Sequence, residues 1–186
     1  MRIAYKAFNK DLTCTMGRGR FQYEIGKWYE EPEANCVRNG FHCAANPLDC
    51  LNYYGDMDRS RYFRVAIDGD IDEDGTDTKI SATKIKLIDE LDIPTFLAHA
   101  IEYIRRHPHL NMNHRVKTEK AMAGPGDKFV IVRNEDPVAA ASEVGQYIGL
   151  VMDGINVPIA VARFYCDGDE FKPGVYYDVE GKERDA

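Results

Sequence analysis

No apolar run in this chain approaches the ~20 residues that a membrane-spanning helix requires, so such a helix is not its organising element. Met1-Arg2-Ile3-Ala4-Tyr5-Lys6 leads straight into an alternating strand pattern, with no signal-peptide core. Positive charge is in short supply: 24 Lys and Arg stand against 31 Asp and Glu, a formal net charge of −7. That balance argues against general affinity for nucleic acid, whose phosphates need a basic face, and it leaves an acidic surface open for docking on basic proteins. CxxC pairs are absent, which removes the usual zinc and redox signatures. An odd set of five cysteines without a secretory signal predicts reduced thiols in the cytosol, and hence a cytoplasmic protein. No Ser or Cys stands in the context of a nucleophile elbow, and no repeat of fixed period is visible. Tryptophan occurs once, as Trp28 beside Tyr29, a place that reads as core rather than as a ligand shelf.

The 186 residues that are present, 44% hydrophobic and 11% aromatic, are enough for one well-buried core or for a core with a small appendage. Residues 3–8 alternate as a strand. Phe21, Tyr23 and Ile25 alternate too, Gly26 interrupts, and Trp28-Tyr29 continues. Gly40-Phe41-His42-Cys43-Ala44-Ala45-Asn46-Pro47-Leu48-Asp49-Cys50-Leu51-Asn52-Tyr53-Tyr54 reads as a strand end, a tight turn, and a short helix opened by Asn46-Pro47 and closed at Gly55. Residues 62–67 and 79–87 carry strand patterns on either side of an acidic loop. Asp92 and Pro94 start a helix with Phe96, Leu97, Ala100, Ile101 and Ile104 on one stripe and Arg105-Arg106 at its end. From 107 to 127 the apolar pattern gives way to His, Asn, Gly-Pro-Gly and cations, as in a linker or exposed arm; short strands follow at 129–133, 147–152, 158–165 and 175–179.

Four motifs occur in order: Tyr5-Lys6-Ala7-Phe8-Asn9-Lys10-Asp11-Leu12, Phe21-Gln22-Tyr23-Glu24-Ile25-Gly26-Lys27, Gly40-Phe41-His42-Cys43 with Pro47-Leu48-Asp49, and Asp77-Thr78-Lys79 with Ala82-Thr83-Lys84-Ile85. Together they resemble an uncharacterised domain family of bacteriophages and prophages. The resemblance implies a phage or prophage origin and carries no activity with it. A more local likeness, over Gly40 to Tyr54 and the strand at 62–67, is to the ADP-ribosyltransferase fold. It implies an NAD pocket shaped by His42, Tyr53 and Tyr54 with Tyr5. The chain departs from that fold where a His or Arg should stand on the first strand, and where a late core Glu should stand.

Other constellations have two readings. Asp70-Ile71-Asp72-Glu73-Asp74-Gly75 matches the first half of a calcium loop, with Asp70, Asp72 and Asp74 as candidate ligands, but Ser81 occupies the place of the bidentate Glu. A solvated acidic turn accounts for the same run. Cys14, Cys36, His42, Cys43 and Cys50 are zinc-competent residue types at spacings that fit no ligand pattern, so packing as small hydrophobes is the better account. Gly17-Arg18-Gly19-Arg20 could grip an anion or simply make a hairpin turn, and the turn is favoured. The basic cluster of Arg105, Arg106, Arg115, Lys117 and Lys120 with His107, His109 and His114 could touch phosphates or an acidic partner; an exposed charged arm is the plainer reading.

The expected fold is α+β: an antiparallel sheet with one long and one short helix in residues 1–107, an arm at 108–127, and a small β unit at 128–186. The expected function is that of a phage or prophage accessory protein that binds a host protein or protein–nucleic acid complex in the host cytoplasm. Inhibition of a host defence complex is one form of it, through Asp70, Asp72 and Asp74 or through Arg105, Arg106, Arg115 and Lys117. An ADP-ribosyltransferase-like NAD-binding enzyme and a virion-associated structural protein are the alternatives. No cofactor is expected; NAD, under the transferase reading, and calcium, at Asp70, Asp72 and Asp74, are the alternatives.

Overall fold

The computed structural model describes residues 1–15, 19–36, 38–73, 75, 77–110, 112–155 and 157–185. The chain forms two compact units, Met1–Asp92 and Ile93–Ala186.

The first unit contains β1 (Arg2–Asn9), β2 (Thr13–Cys14), β3 (Phe21–Gln22), β4 (Trp28–Glu30), β5 (Phe41–Ala44), a 3₁₀ helix (Pro47–Asn52), β6 (Ser60–Glu73) and β7 (Lys79–Leu91). The order β4-β7-β5-β1-β6 closes on itself because β6 also pairs with β7, so β1, β5, β7 and β6 form an antiparallel ring. Closing so few strands demands sharp bending. Bulges supply it: β7 carries an extra residue, Ile88, opposite the step from Arg64 to Val65, and β6 carries one between Asp68 and Ile71. Inside the ring lie Ala4, Phe8, Phe41, Cys43, Phe63, Val65, Ile67, Ile80, Ala82, Ile85 and Leu87, with Tyr23 packed among them. Phe8 meets Phe63 edge-on at 5.6 Å and Tyr23 at 5.0 Å, the arrangement the ring quadrupoles prefer. Each large side chain so buried contributes about 1.5–3 kcal/mol.

Asn46 caps the 3₁₀ helix, its Oδ1 accepting from the Leu48 N–H at 3.0 Å, and Pro47 fills the first helical position where no donor is needed. Gly40 has a φ of +82° just ahead of β5, and a Cβ there would lie 2.5 Å from Ser81 Oγ and 3.0 Å from the Ala34 Cα.

The second unit begins with α1 (Ile93–Arg106) and continues with β8 (Val116–Lys117), β9 (Ala121–Met122), β10 (Phe129–Asn134), β11 (Ala139–Ala140), β12 (Tyr147–Asp153), β13 (Pro158–Tyr165), β14 (Tyr176–Tyr177) and β15 (Glu183–Arg184). One sheet has the order β13-β12-β10-β8 and the other β15-β14-β11-β9. Val130, Val132, Ile148 and Leu150 of the first sheet meet Ala139 and Tyr177 of the second, with Ala123, Ala141 and Cys166 completing that core. On the opposite face of the first sheet, α1 buries the stripe Phe96, Leu97, Ala100, Ile101 and Ile104. Gly149 admits it closely: a Cβ there would stand 3.0 Å from Ile101 and 3.2 Å from Leu97.

The expected α+β class is corrected by this architecture. Among the described residues 45% are in strands and 11% are helical, with two helices and several sheets. Two-residue strands such as β8, β9, β11 and β15 are too short to show alternation, so a reading by periodicity misses them. The acidic loop expected before Lys79 is largely strand, the outer part of β6. The helix placed in the first unit belongs to the second, and residues 108–127 carry β8 and β9 with Val116 and Ala123 buried. No helix of the described residues is long and apolar enough to cross a membrane.

Candidate functional site

The first unit's polar residues gather on the outward face of β5, β6 and β7. Register puts His42 beside Ser81 and Ser81 beside Asp72, one row across three strands. Asn39 and Cys36 close over the middle of that row: Ser81 Oγ donates to the Asn39 carbonyl at 2.5 Å, and the Cys36 N–H donates to Asp72 Oδ2 at 2.7 Å. Ser81 is fully buried as a result, and its hydroxyl is committed to the backbone rather than poised as a nucleophile.

His42 is half-buried at one end of the row. Burial is the main force holding its imidazole below the ordinary value of 6.5; the ammonium groups of Lys6 and Lys79 push the same way, and a bond to the Gly40 backbone opposes them. Lys6 approaches from within the ring. It is buried, its Nζ donates to the His42 carbonyl at 2.5 Å, and it lies 5.5 Å from the Phe8 ring and 5.8 Å from the Tyr23 ring. Lys79 sits over the exposed Tyr53 ring at 5.1 Å and 3.8 Å from the Asp77 carboxylate. An imidazole held below its ordinary value beside two ammonium groups suits recognition by hydrogen bond and charge.

Behind this face, Asp49 ties the 3₁₀ helix to the start of β7. Its Oδ2 accepts from the Thr78 hydroxyl at 2.6 Å and the Thr78 N–H at 3.1 Å, while Thr78 Oγ1 in turn accepts from the Asn46 N–H at 2.8 Å. Tyr54 is buried, its hydroxyl donating to Cys14 Sγ at 3.5 Å and accepting from the Thr15 N–H at 3.3 Å. Burial above all pushes that phenol up to about 12, with the Cys14 contact adding to the rise. Tyr5 pairs with Ala44 across β1 and β5. Of the four residues read as an NAD pocket, His42 and Tyr53 therefore flank Lys79, whereas Tyr54 belongs to the packed interior.

An open depression of about 410 Å³ lies elsewhere in the unit, lined by Asn9, Lys10, Asp11, Thr13, Thr15 and Arg20. Asp11 organises it, accepting from the Thr13 N–H at 3.1 Å and the Thr13 hydroxyl at 2.6 Å and pairing with Arg20. Leu12, at a φ of +61°, makes the turn. None of His42, Tyr53, Tyr54 or Tyr5 lines this depression. Asn9 and Asp11 were not among the residues expected to form a site; the signal available was a run of Asn, Asp and Thr able to bond neighbouring backbone. Of the Gly-Arg-Gly-Arg segment, Gly17 and Arg18 lie outside the described residues, and Arg20 is the member that reaches the depression.

The acidic candidates are placed on β6, where residues 68–73 are all exposed. Asp68 pairs with the N-terminal ammonium at 3.0 Å, Glu73 pairs with Arg2, and Asp72 is held by Cys36. Asp70 is exposed, and Asp74 lies outside the described residues. Among the described residues, no group of three or more His, Cys, Asp or Glu is arranged to hold a metal ion. Cys43, Cys50 and Cys166 are buried and Cys14 and Cys36 half-buried, all as free thiols. Burial pushes the Cys43 thiol up to about 12, far from the thiolate that metal binding needs.

The basic candidates of the second unit are largely engaged. Glu102 pairs with Arg105 at 2.7 Å and with Arg106 at 2.5 Å, and the Arg105 bond is the main force drawing its carboxyl down to about 2. The ring of His107 stacks on Tyr103 at 4.1 Å. Arg115 is half-buried, Lys117 exposed, and Lys120 lies 4.8 Å from the Tyr176 ring.

Residues 2–99 match the family described as Domain of unknown function (DUF7666). This chain belongs to that family. The match spans the closed ring of the first unit and reaches into α1, so the polar face around His42 and the depression at Asn9 both lie within the family domain. No curated protein and no solved structure matches the chain.

Proposed function

We propose that this protein is a binding protein of phage or prophage origin that acts on a host macromolecule in the host cytoplasm, and that inhibition of a host defence complex is one form of that action. The observation that carries the binding reading is the outer part of β6, where six consecutive residues, 68–73, are exposed and four of them are acidic. Asp72 falls on the side of the strand that carries His42, and Asp70 sits in the bulge that precedes it. A rigid strand that presents carboxylates to solvent is suited to a basic partner surface. The phage origin rests on the four ordered motifs between Tyr5 and Ile85. An enzymatic reading would need a nucleophile or a catalytic carboxylate beside His42, and the hydroxyl and carboxylate nearest in its row are bonded to the Asn39 carbonyl and the Cys36 N–H.

The test is affinity capture from a bacterial host lysate with mass-spectrometric identification. Asp70→Lys with Asp72→Lys should abolish capture of the partner retained by the wild-type protein. Undiminished capture after reversing this strand and also Arg105, Arg106 and Lys117 would overturn the reading.

A further inference from the structure

The open depression of about 410 Å³ in the first unit has no part in the binding reading above. The turn that forms its rim is locked from three directions. The Leu12 N–H donates to the Asn9 carbonyl at 2.9 Å, the Leu12 carbonyl accepts from the Tyr23 N–H at 3.0 Å, and the Asp11 carbonyl accepts from Gln22 Nε2 at 2.7 Å. These bonds hold Leu12 at a φ of +61°, a left-handed conformation that is costly for a bulky residue and persists only where its surroundings over-determine it. Asn9 Nδ2 donates to the Thr13 and Thr15 hydroxyls at 3.0 and 3.3 Å, so the wall is fixed as well. Thr13 is buried there, whereas Lys10, Asp11, Thr15 and Arg20 are exposed around it.

We propose that this depression binds the phosphoryl group of a small molecule, with Lys10 and Arg20 as its paired cations. Charge argues for an anion: two cations and one carboxylate line the depression, a local positive excess on a chain of net charge −7. That carboxylate is already occupied. Asp11 Oδ1 accepts from the Thr13 hydroxyl at 2.6 Å and the Thr13 N–H at 3.1 Å, and Oδ2 accepts from Arg20. Glu90, near enough to feel Lys10, is clasped by Arg61 at 2.7 and 2.6 Å. The planar fork of Arg20 has donors beyond the one given to Asp11, in the geometry that phosphate oxygens accept. A single carboxylate is too few for a divalent cation, and the lining has no aromatic face on which a sugar ring could rest. A phosphoryl group carries about −1.5 to −2 charge at neutral pH, which two cations match better than they match the single charge of a carboxylate. Exposure screens these contacts, so binding is weak and falls as salt is added.

Calorimetry and amide NMR titration of the full chain at low ionic strength, with inorganic phosphate, ATP and acetate in turn, test this. Phosphate or ATP should bind in the millimolar range or tighter, more strongly than acetate, and should move the amide signals of Lys10, Asp11, Thr13, Thr15 and Arg20. Tighter binding of ATP than of phosphate identifies a nucleotide as the carrier, and equal binding shows that the phosphoryl group alone suffices. Lys10→Ser with Arg20→Ser should weaken binding at least about tenfold, the loss of one or two charge-assisted hydrogen bonds. Asp11→Asn keeps an oxygen acceptor for Thr13 but removes the negative charge, so binding should tighten. A gain of that kind cannot come from misfolding. The proposal is overturned if neither phosphate nor ATP binds, if acetate binds as well as phosphate, or if the shifts centre on His42 and Lys79. Undiminished binding by the Lys10→Ser Arg20→Ser protein, or weaker binding by Asp11→Asn, overturns it too.

Discussion

The Lys6 ammonium donates a hydrogen bond to the His42 carbonyl at 2.5 Å from inside the closed ring of the first unit. Among the described residues β1 and β5 share one register pair, Tyr5 with Ala44, so the lysine side chain supplies a cross-strand bond where the backbone ladder between these strands is short. The strand alternation that sends Ala4 and Phe8 inward sends Lys6 the same way, and the Phe8 and Tyr23 rings soften its burial.

Lys6→Met should therefore destabilise the protein by about 1–3 kcal/mol, the usual consequence of leaving a buried carbonyl without its donor. Urea denaturation followed by fluorescence would measure it. An unchanged or raised midpoint would mean that relief of the ammonium's desolvation outweighs the lost bond.

Gly40 should tolerate no side chain. At a φ of +82° an L-residue is strained, and the Cβ of Gly40→Ala would crowd Ser81 Oγ at 2.5 Å and the Ala82 carbonyl at 3.1 Å. A loss of at least about 1–3 kcal/mol in thermal or chemical denaturation is expected, because backbone as well as side chain must shift. A stability equal to wild type would show that Gly40 is not packed on β7.

His42 makes stability depend on pH in a stated direction. Its folded value lies below 6.5 because of burial first and the neighbouring lysines second. Below 6.5 the unfolded chain takes up the proton before the folded chain does, so stability from this residue is complete above 6.5 and declines as pH falls toward the lower folded value. Denaturation midpoints compared between about pH 7.5 and about pH 5 should fall less for His42→Asn than for wild type, bracketing an ordinary histidine titration. Parallel declines would remove His42 as the origin.

Asp49→Ala should loosen the junction between the 3₁₀ helix and β7. It strips the acceptor from both the Thr78 N–H and the Thr78 hydroxyl, at an expected cost of about 1–3 kcal/mol. Amide exchange should accelerate at Thr78 and at Ala45, whose N–H bonds to the Thr78 carbonyl. Protection as in wild type at both would show the carboxylate to be dispensable.

Much of the local structure was legible in residue pattern. Period-two alternation marked β1 and β7, and Phe96, Leu97, Ala100, Ile101 and Ile104 emerged as the buried stripe of α1. Asn46-Pro47 marked the start of the 3₁₀ helix. These signals are local: they come from side-chain spacing, capping donors and the fixed φ of proline. The same reasoning failed on β8, β9, β11 and β15, where two residues cannot define a period and pairing is imposed by neighbours distant in the chain. Of the candidate site, His42 was recognised as a polar residue leaving an apolar strand. Its company was not, since Ser81 and Asp72 reach it only through the registers of three strands.

The sequence alone settled the strand character of β1 and β7, the buried stripe of α1, the acidic balance of the chain, and the absence of a long apolar span, because each follows from composition or from neighbours within a few residues. Only the tertiary structure decided that β6 bends round to pair with both β1 and β7, that Lys6 is thereby enclosed, and that Tyr54 and Ser81 are bonded inward. Those outcomes depend on long-range backbone hydrogen bonds and on how a closed sheet divides its faces between inside and outside, and neither is written in the spacing of residues along one strand.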